Sequence, residues 1–159
     1  LGHLAVQFSK KFGFTTAVVS QSKDKEKLAF KLGADYFINS GSADPAKELR
    51  KLGGAAVILS TAPCGKAASA LIDGLGFNGQ MVIVQACPEP IPVFTHQLFQ
   101  GKRSIKGSVG GDKDRAIRFS VRHHILPMIE TFPLEEAAAA YEKMKCSKVH
   151  FRSVLKMVP

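Results

Sequence analysis

Leu1-Gly2-His3-Leu4-Ala5-Val6-Gln7-Phe8-Ser9-Lys10-Lys11-Phe12-Gly13, followed after Phe14 by Thr15-Thr16-Ala17-Val18-Val19-Ser20, decides the fold. Apolar residues at 1, 4, 5, 8 and 12 recur with the i, i+3, i+4, i+7 spacing of one helix face. Gly13 stands where a glycine closes a helix. The β-branched run after it reads as a strand, and a Lys-rich helical stretch comes next. Working outward, the same alternation continues, with strands expected at 15–20, 36–39, 55–60, 80–84 and 104–109. Helices are expected near 3–12, 24–32, 45–52, 66–75 and 112–122, with Gly33, Gly53-Gly54 and Gly76 marking helix ends. Such alternation implies an α/β fold with a parallel sheet. Pro88-Glu89-Pro90-Ile91-Pro92 excludes regular structure and makes a stiff connection at the sheet's upper edge. From about residue 126 the character changes. A strand is expected at 127–132, a helix at 134–145 and a last strand at 149–157. Glu135 and Glu136 in the first turn of that helix, and Lys143 and Lys145 in its last, match the helix dipole.

In α/β folds that hold dinucleotides, the first helix opens on the last glycine of G-x-G-x-x-G, and the phosphates bind at that helix's N-terminus. Gly2 takes that place if the rest of the motif lies upstream. On this reading the chain begins inside the motif and its sheet lacks its first strand. In the strand order 3-2-1-4-5-6 that strand is central. Either residues 15–20 and 55–60 pair directly, or another chain or upstream residues supply the strand.

Leu1-Gly2-His3-Leu4-Ala5-Val6-Gln7 resembles the end of the "GxGGLGHLAVQ" motif of the zinc-dependent alcohol dehydrogenase branch of the medium-chain dehydrogenase/reductases. Leu32-Gly33-Ala34-Asp35 resembles that family's "LGAD", and Asn78-Gly79-Gln80-Met81-Val82 its "NGRLV". Ser104-Ile105-Lys106-Gly107-Ser108 resembles "SIxGS", and Phe151-Arg152-Ser153-Val154-Leu155 the closing "FRxVL". Each motif alone is weak; together, in family order, they span essentially the whole chain. The resemblance implies a Rossmann-type doubly wound parallel sheet over 1–125, truncated at its N-terminus. It also implies a strand-helix-strand over 126–159 that returns to the catalytic domain. Because that domain is expected to precede this one, 126–159 is expected to lack most of its usual packing partners.

At 159 residues the chain is one domain, or one domain plus part of another. A chain of this length buries roughly 70% of its unfolded surface, and 45% hydrophobic residues suffice to fill such a core. No apolar run approaches the ~18 residues of a membrane span, and no signal peptide is visible, so a cytoplasmic setting without membrane partners is expected. Cys64, Cys87 and Cys146 are odd in number and widely spaced, which argues against a disulfide framework. The formal charge of +9 raises nucleic acid as a partner. The Lys and Arg are scattered without an aromatic-interleaved cluster, however, and an anionic dinucleotide accounts for the sign. No nucleic-acid partner is expected.

The end of the strand at 15–20 decides which dinucleotide fits. An Asp or Glu about 20 residues past the glycine motif would bond the adenosine ribose and repel a 2′-phosphate. That place holds Ser20-Gln21-Ser22, with Lys23 and Lys25 just after, and no carboxylate opposes a phosphate monoester. The pattern resembles the NADP-preferring, cinnamyl-alcohol-dehydrogenase-like members, so NADP is expected and NAD is the second choice. Leu1 and Gly2 belong to the phosphate turn. Carboxyl ends of parallel strands face the ligand, which points to Thr61 and Ala62, Val84 and Ala86 (flanking Gln85), and Ser108 and Val109. The resemblance implies that these hold the adenine side or the nicotinamide through backbone groups and small side chains. It also implies that Arg152 pairs with the cofactor pyrophosphate; the bland alternative is a surface arginine on an edge strand.

No Cys-x-x-Cys or Cys/His pair stands at ligand spacing, so no metal is expected in this chain, although the full-length family binds zinc in its earlier domain. No G-x-S-x-G elbow surrounds Ser60-Thr61, and Cys64 reads better as a small half-buried residue than as a nucleophile. No catalytic residue is assigned. The resemblance implies the cofactor-binding portion of an NADP-dependent alcohol dehydrogenase, which interconverts alcohols and aldehydes or ketones by hydride transfer. This chain alone is expected to be inactive. It also implies a homo-oligomer through residues 104–109. A stand-alone nucleotide-binding or self-associating module remains the alternative, and zinc-free quinone reductases fit less well with Leu1–Ala5 and Ser104–Ser108.

Overall fold

The computed structural model describes residues 1–146 and 148–157. Two compact units divide the chain, Leu1–Arg115 and Ala116–Pro159; the division falls before the 125/126 boundary expected from sequence. In the first unit the order is α1 (Gly2–Lys11), β1 (Ala17–Ser20), α2 (Glu26–Lys31), β2 (Tyr36–Asn39), α3 (Pro45–Lys51), β3 (Ala55–Ser60), α4 (Gly65–Ile72), β4 (Leu75–Ile83), α5 (Thr95–Phe99) and β5 (Ser104–Gly107). A 3-10 turn, Lys23–Lys25, leads into α2. Every strand expected from the pattern is present, each followed by a helix.

Local chemistry explains the boundaries. Gly13 has φ +81°, its N–H donates to the Lys10 carbonyl and that of Phe14 donates to Ser9, which closes α1 with a left-handed residue that costs glycine nothing. Asp44 caps α3 by accepting from the Ala46 and Lys47 N–H groups at 3.0 and 3.2 Å, and Pro45 supplies the helical φ of the first turn. Gly76 does not end α4, which stops at Ile72; it lies in β4, which starts at Leu75. Between Leu75 and Gln80 the register against β3 slips, and Asn78 takes φ +59°. The regular part of β4 therefore begins where the sequence pattern had placed the strand.

All pairings are parallel. β1 pairs with β2 from Ala17↔Tyr36 to Ser20↔Asn39, and β3-β4-β5 form a three-stranded sheet. Among the described residues β1 and β3 do not pair with each other, so the layer is interrupted there. One core nonetheless runs beneath both pieces. Ile38, Leu49, Ile58, Ala68, Ile72, Leu75 and Met81 are buried together, with Ala17, Val19 and Ile105 packed against them. On the other face Val6 of α1 packs with Ala29 and Ala34 against Val18 and Phe37. The packing of a doubly wound Rossmann-type sheet is present, while its backbone ladder is broken between β1 and β3.

Asp35 locks this half together. Its carboxylate accepts from Lys10 Nζ of α1 at 2.8 Å and from the Thr16 N–H at 2.9 Å. The Lys10 hydrogen bond first, and the Thr16 N–H second, hold that carboxyl below the ordinary aspartate value.

In the second unit β6 (Ile129–Pro133) and β7 (Arg152–Lys156) pair in parallel, which requires a crossover; α7 (Ala137–Lys145) supplies it. Glu130 accepts from Lys143 Nζ and from the His150 N–H, the latter at 2.8 Å, and the Lys143 bond is the main cause of its lowered pKa. α6 (Lys113–His123) spans the division between the units and has no buried residue. Among the described residues no helix is long and apolar enough to cross a membrane.

Candidate functional site

The carboxyl ends of β1, β3, β4 and β5 carry most of the residues singled out from sequence. Gly2 opens α1, whose N-cap is Leu1, with no side-chain cap and no acidic residue in the first turn. The first turn of a helix sits at the positive end of its dipole. A methyl group added at Gly2 would lie 3.7 Å from Thr61 Oγ1, so the mouth of α1 and the residue just past β3 share one place. α1 thus reaches from its packing on Val18 and Phe37 to the end of β3.

On the β1 side, Ser20 ends the strand and its carbonyl accepts from the Ser40 N–H at 2.9 Å. Gln21 and Ser22 are exposed, as is Lys25 in the turn that follows. Gly41 comes so close to the Gln21 carbonyl that a Cβ there would collide with it, which holds the loops after β1 and β2 together. The expectation that no carboxylate stands here is corrected. Ser22 Oγ donates to Asp24 Oδ1, and that hydrogen bond is the main cause of the carboxyl's lowered pKa, with Lys25 adding to it. Lys23 lies 4.0 Å from Glu26. The two lysines are therefore partly offset, and the turn is less positive than its Lys content suggests. A Ser-x-Asp spacing at the start of a tight turn was the available signal.

On the other side, Ser60 ends β3 and is only 5% exposed. Its carbonyl accepts from the Val84 N–H at 3.2 Å, and its hydroxyl accepts from Gln85 Nε2 at 2.9 Å. The Ser108 N–H donates to the Ile83 carbonyl at 2.9 Å, continuing the ladder past β5. Thr61 and Val84 are half-buried; Ala62, Ala86, Ser108 and Val109 are exposed. The proline-rich connection closes over the start of α4: Ser69 Oγ donates to the Pro92 carbonyl at 2.7 Å, and the Pro90 backbone abuts Gly65. Cys64 is a free, half-buried thiol. Gln85, between the expected Val84 and Ala86, was not itself singled out; a lone carboxamide ending the apolar run 81–84 was the signal for its side chain.

Arg152 belongs to the second unit. It is exposed at the start of β7, its Cα in register with Ile129. Among the described residues no group of three or more His, Cys, Asp or Glu is placed to hold a metal ion, so zinc has no ligand set among them.

A sequence-family profile described as zinc-binding dehydrogenase matches residues 1–122. The chain is 39% identical to an alcohol dehydrogenase of Penicillium expansum, over 99% of this chain and 47% of that protein. It is 36% identical to an alcohol dehydrogenase of an Aspergillus species, again over 99% and 47%. Among solved structures, a cinnamyl alcohol dehydrogenase of Sorghum bicolor superposes with a TM-score of 0.85 at 30% identity, covering 100% of this chain and 47% of that one. The chain spans about half the length of the curated relatives it matches.

Proposed function

The chain belongs to the zinc-binding dehydrogenase family, and from that premise we propose that it is the part of an alcohol dehydrogenase that holds a nicotinamide dinucleotide, with NADP(H) preferred. The observation that carries the reading is the acid-free mouth of α1 lying against Thr61 at the carboxyl edge of the strands. A pyrophosphate there meets the positive end of the helix dipole. The adenosine end then falls toward Ser20, Gln21 and Ser22, where hydroxyls and Lys25 suit a 2′-phosphate. The second half of the dinucleotide falls over the ends of β3, β4 and β5, where Thr61, Val84, Ala86 and Ser108 offer backbone groups and small side chains.

Bound in this way, the nicotinamide supplies or accepts the hydride when an alcohol and an aldehyde or ketone interconvert. The residues of the first unit bind and orient it. Titration of the purified protein with NADPH and NADH, followed by reduced-nicotinamide fluorescence, tests the reading. Saturable binding with NADPH tighter is expected. NADH binding as tightly would remove the NADP assignment, and binding of neither would remove the site.

A further inference from the structure

Gln85 carries a feature that backbone recognition does not use. It lies just past the end of β4, and its Nε2 donates to Ser60 Oγ at 2.9 Å, bridging the carboxyl ends of two neighbouring strands. Its Oε1 is buried and has no hydrogen-bond partner among the described residues. A single serine hydroxyl meets only one end of a carboxamide, whichever way the amide is turned, so half of this group is left unsatisfied. Buried polar atoms without partners are rare, and each marks a place where something is missing or a function is held ready. The terminal torsion of glutamine is soft, so the carboxamide turns toward a ligand at small cost.

The position defines the ligand. With the pyrophosphate at the mouth of α1 and the adenosine over Ser20 and Ser22, the ends of β3 and β4 face the nicotinamide half. That ring carries a carboxamide whose NH2 is a donor needing an acceptor. We infer that Gln85 is a specificity residue for the nicotinamide: anchored by Ser60, its Oε1 accepts a hydrogen bond from the ring's carboxamide and sets the ring's orientation. This rests on the dinucleotide reading above, and it adds recognition by a long polar side chain to a place otherwise expected to work through backbone groups and small side chains.

Three ligands separate the two ideas. NADPH carries the whole molecule, and adenosine 2′,5′-bisphosphate lacks the nicotinamide. The 3-acetylpyridine analogue of NADPH replaces the carboxamide by a methyl ketone that donates nothing. The wild-type protein is expected to bind the acetylpyridine analogue about tenfold more weakly than NADPH, the usual loss when a site built for a donor meets none. Gln85→Ala is expected to weaken NADPH by about the same factor, to leave adenosine 2′,5′-bisphosphate unchanged, and to abolish the preference between NADPH and its analogue. Equal wild-type affinity for NADPH and the analogue would overturn the inference without touching the dinucleotide site. So would a Gln85→Ala loss shared equally by adenosine 2′,5′-bisphosphate. If the wild-type protein binds neither NADPH nor adenosine 2′,5′-bisphosphate, the dinucleotide reading itself fails and this inference falls with it.

Discussion

On the proposed reading of the site, Asp24 is the residue that weighs on cofactor choice. Its carboxylate takes the Ser22 hydroxyl as a donor and stands in the turn expected to receive a 2′-phosphate. A phosphate must win that hydroxyl from Asp24 and tolerate a negative charge close by. Asp24→Asn removes the charge and keeps the shape, so NADPH is expected to bind several-fold more tightly while NADH changes little. Added salt should shrink the difference, because the group is exposed and screened. Titration of both cofactors at low and moderate salt measures it; an equal gain for NADH would show that the carboxylate does not face the phosphate. That Ser20 ends a strand, with Gln21 and Ser22 just past it, was legible from the chain, since they follow a β-branched run. Asp24 was not, because its effect depends on how the turn brings its carboxylate back onto Ser22.

At the scale of elements, α1, β1 and β2 are tied by Asp35, which bonds Lys10 and the Thr16 N–H. Its carboxyl is held below the ordinary 3.8 in the folded protein, so folding disfavours its protonation. The contribution is fully present above the unfolded value near 3.8 and is lost as pH falls through the lower folded value. Glu130 acts with the same sign between β6 and α7. Asp35→Asn is therefore expected to lower the denaturant midpoint at neutral pH and to flatten its fall below about pH 4. Chemical denaturation across that range checks it, and a variant as acid-sensitive as the wild type would refute the tie. The elements were mostly visible in the sequence because their causes are local: Gly13 closes α1, and Pro45 follows the Asp44 cap. α5 was missed for the opposite reason. It has only five residues and is held by Gln97, which accepts from the Phe94 N–H at 2.9 Å and donates to Asp73 Oδ2 at 3.0 Å. No apolar period announces such a helix.

At the largest scale, the ladder is open between β1 and β3 among the described residues. β4 alone pairs on both sides in the three-stranded sheet, and Met81 on it is fully buried. Among the described residues β1 and β3 each have one unpaired edge, and on β3 Val57 and Leu59 are 59% and 43% exposed. Such edges exchange readily and invite further strand pairing. In hydrogen exchange, the amides of the regular part of β4 are expected to be the slowest of the first unit, and those of β1 and β3 markedly faster. Uniform protection across β1, β3 and β4 would mean that another strand or copy covers the edges in solution.

The sequence by itself determined the alternation of strands and helices, the helix ends, the family motifs and the residues at the strand tips. Each of these depends on neighbours a few positions away or on a motif read along the chain. Only the tertiary structure decided that β1 and β3 stay apart over a shared core, that the mouth of α1 meets Thr61, and that Gln85 reaches Ser60 across 25 positions. Those facts depend on which segments the packing of α1, α3 and α4 brings side by side, and periodicity along one strand carries no record of the strand next to it.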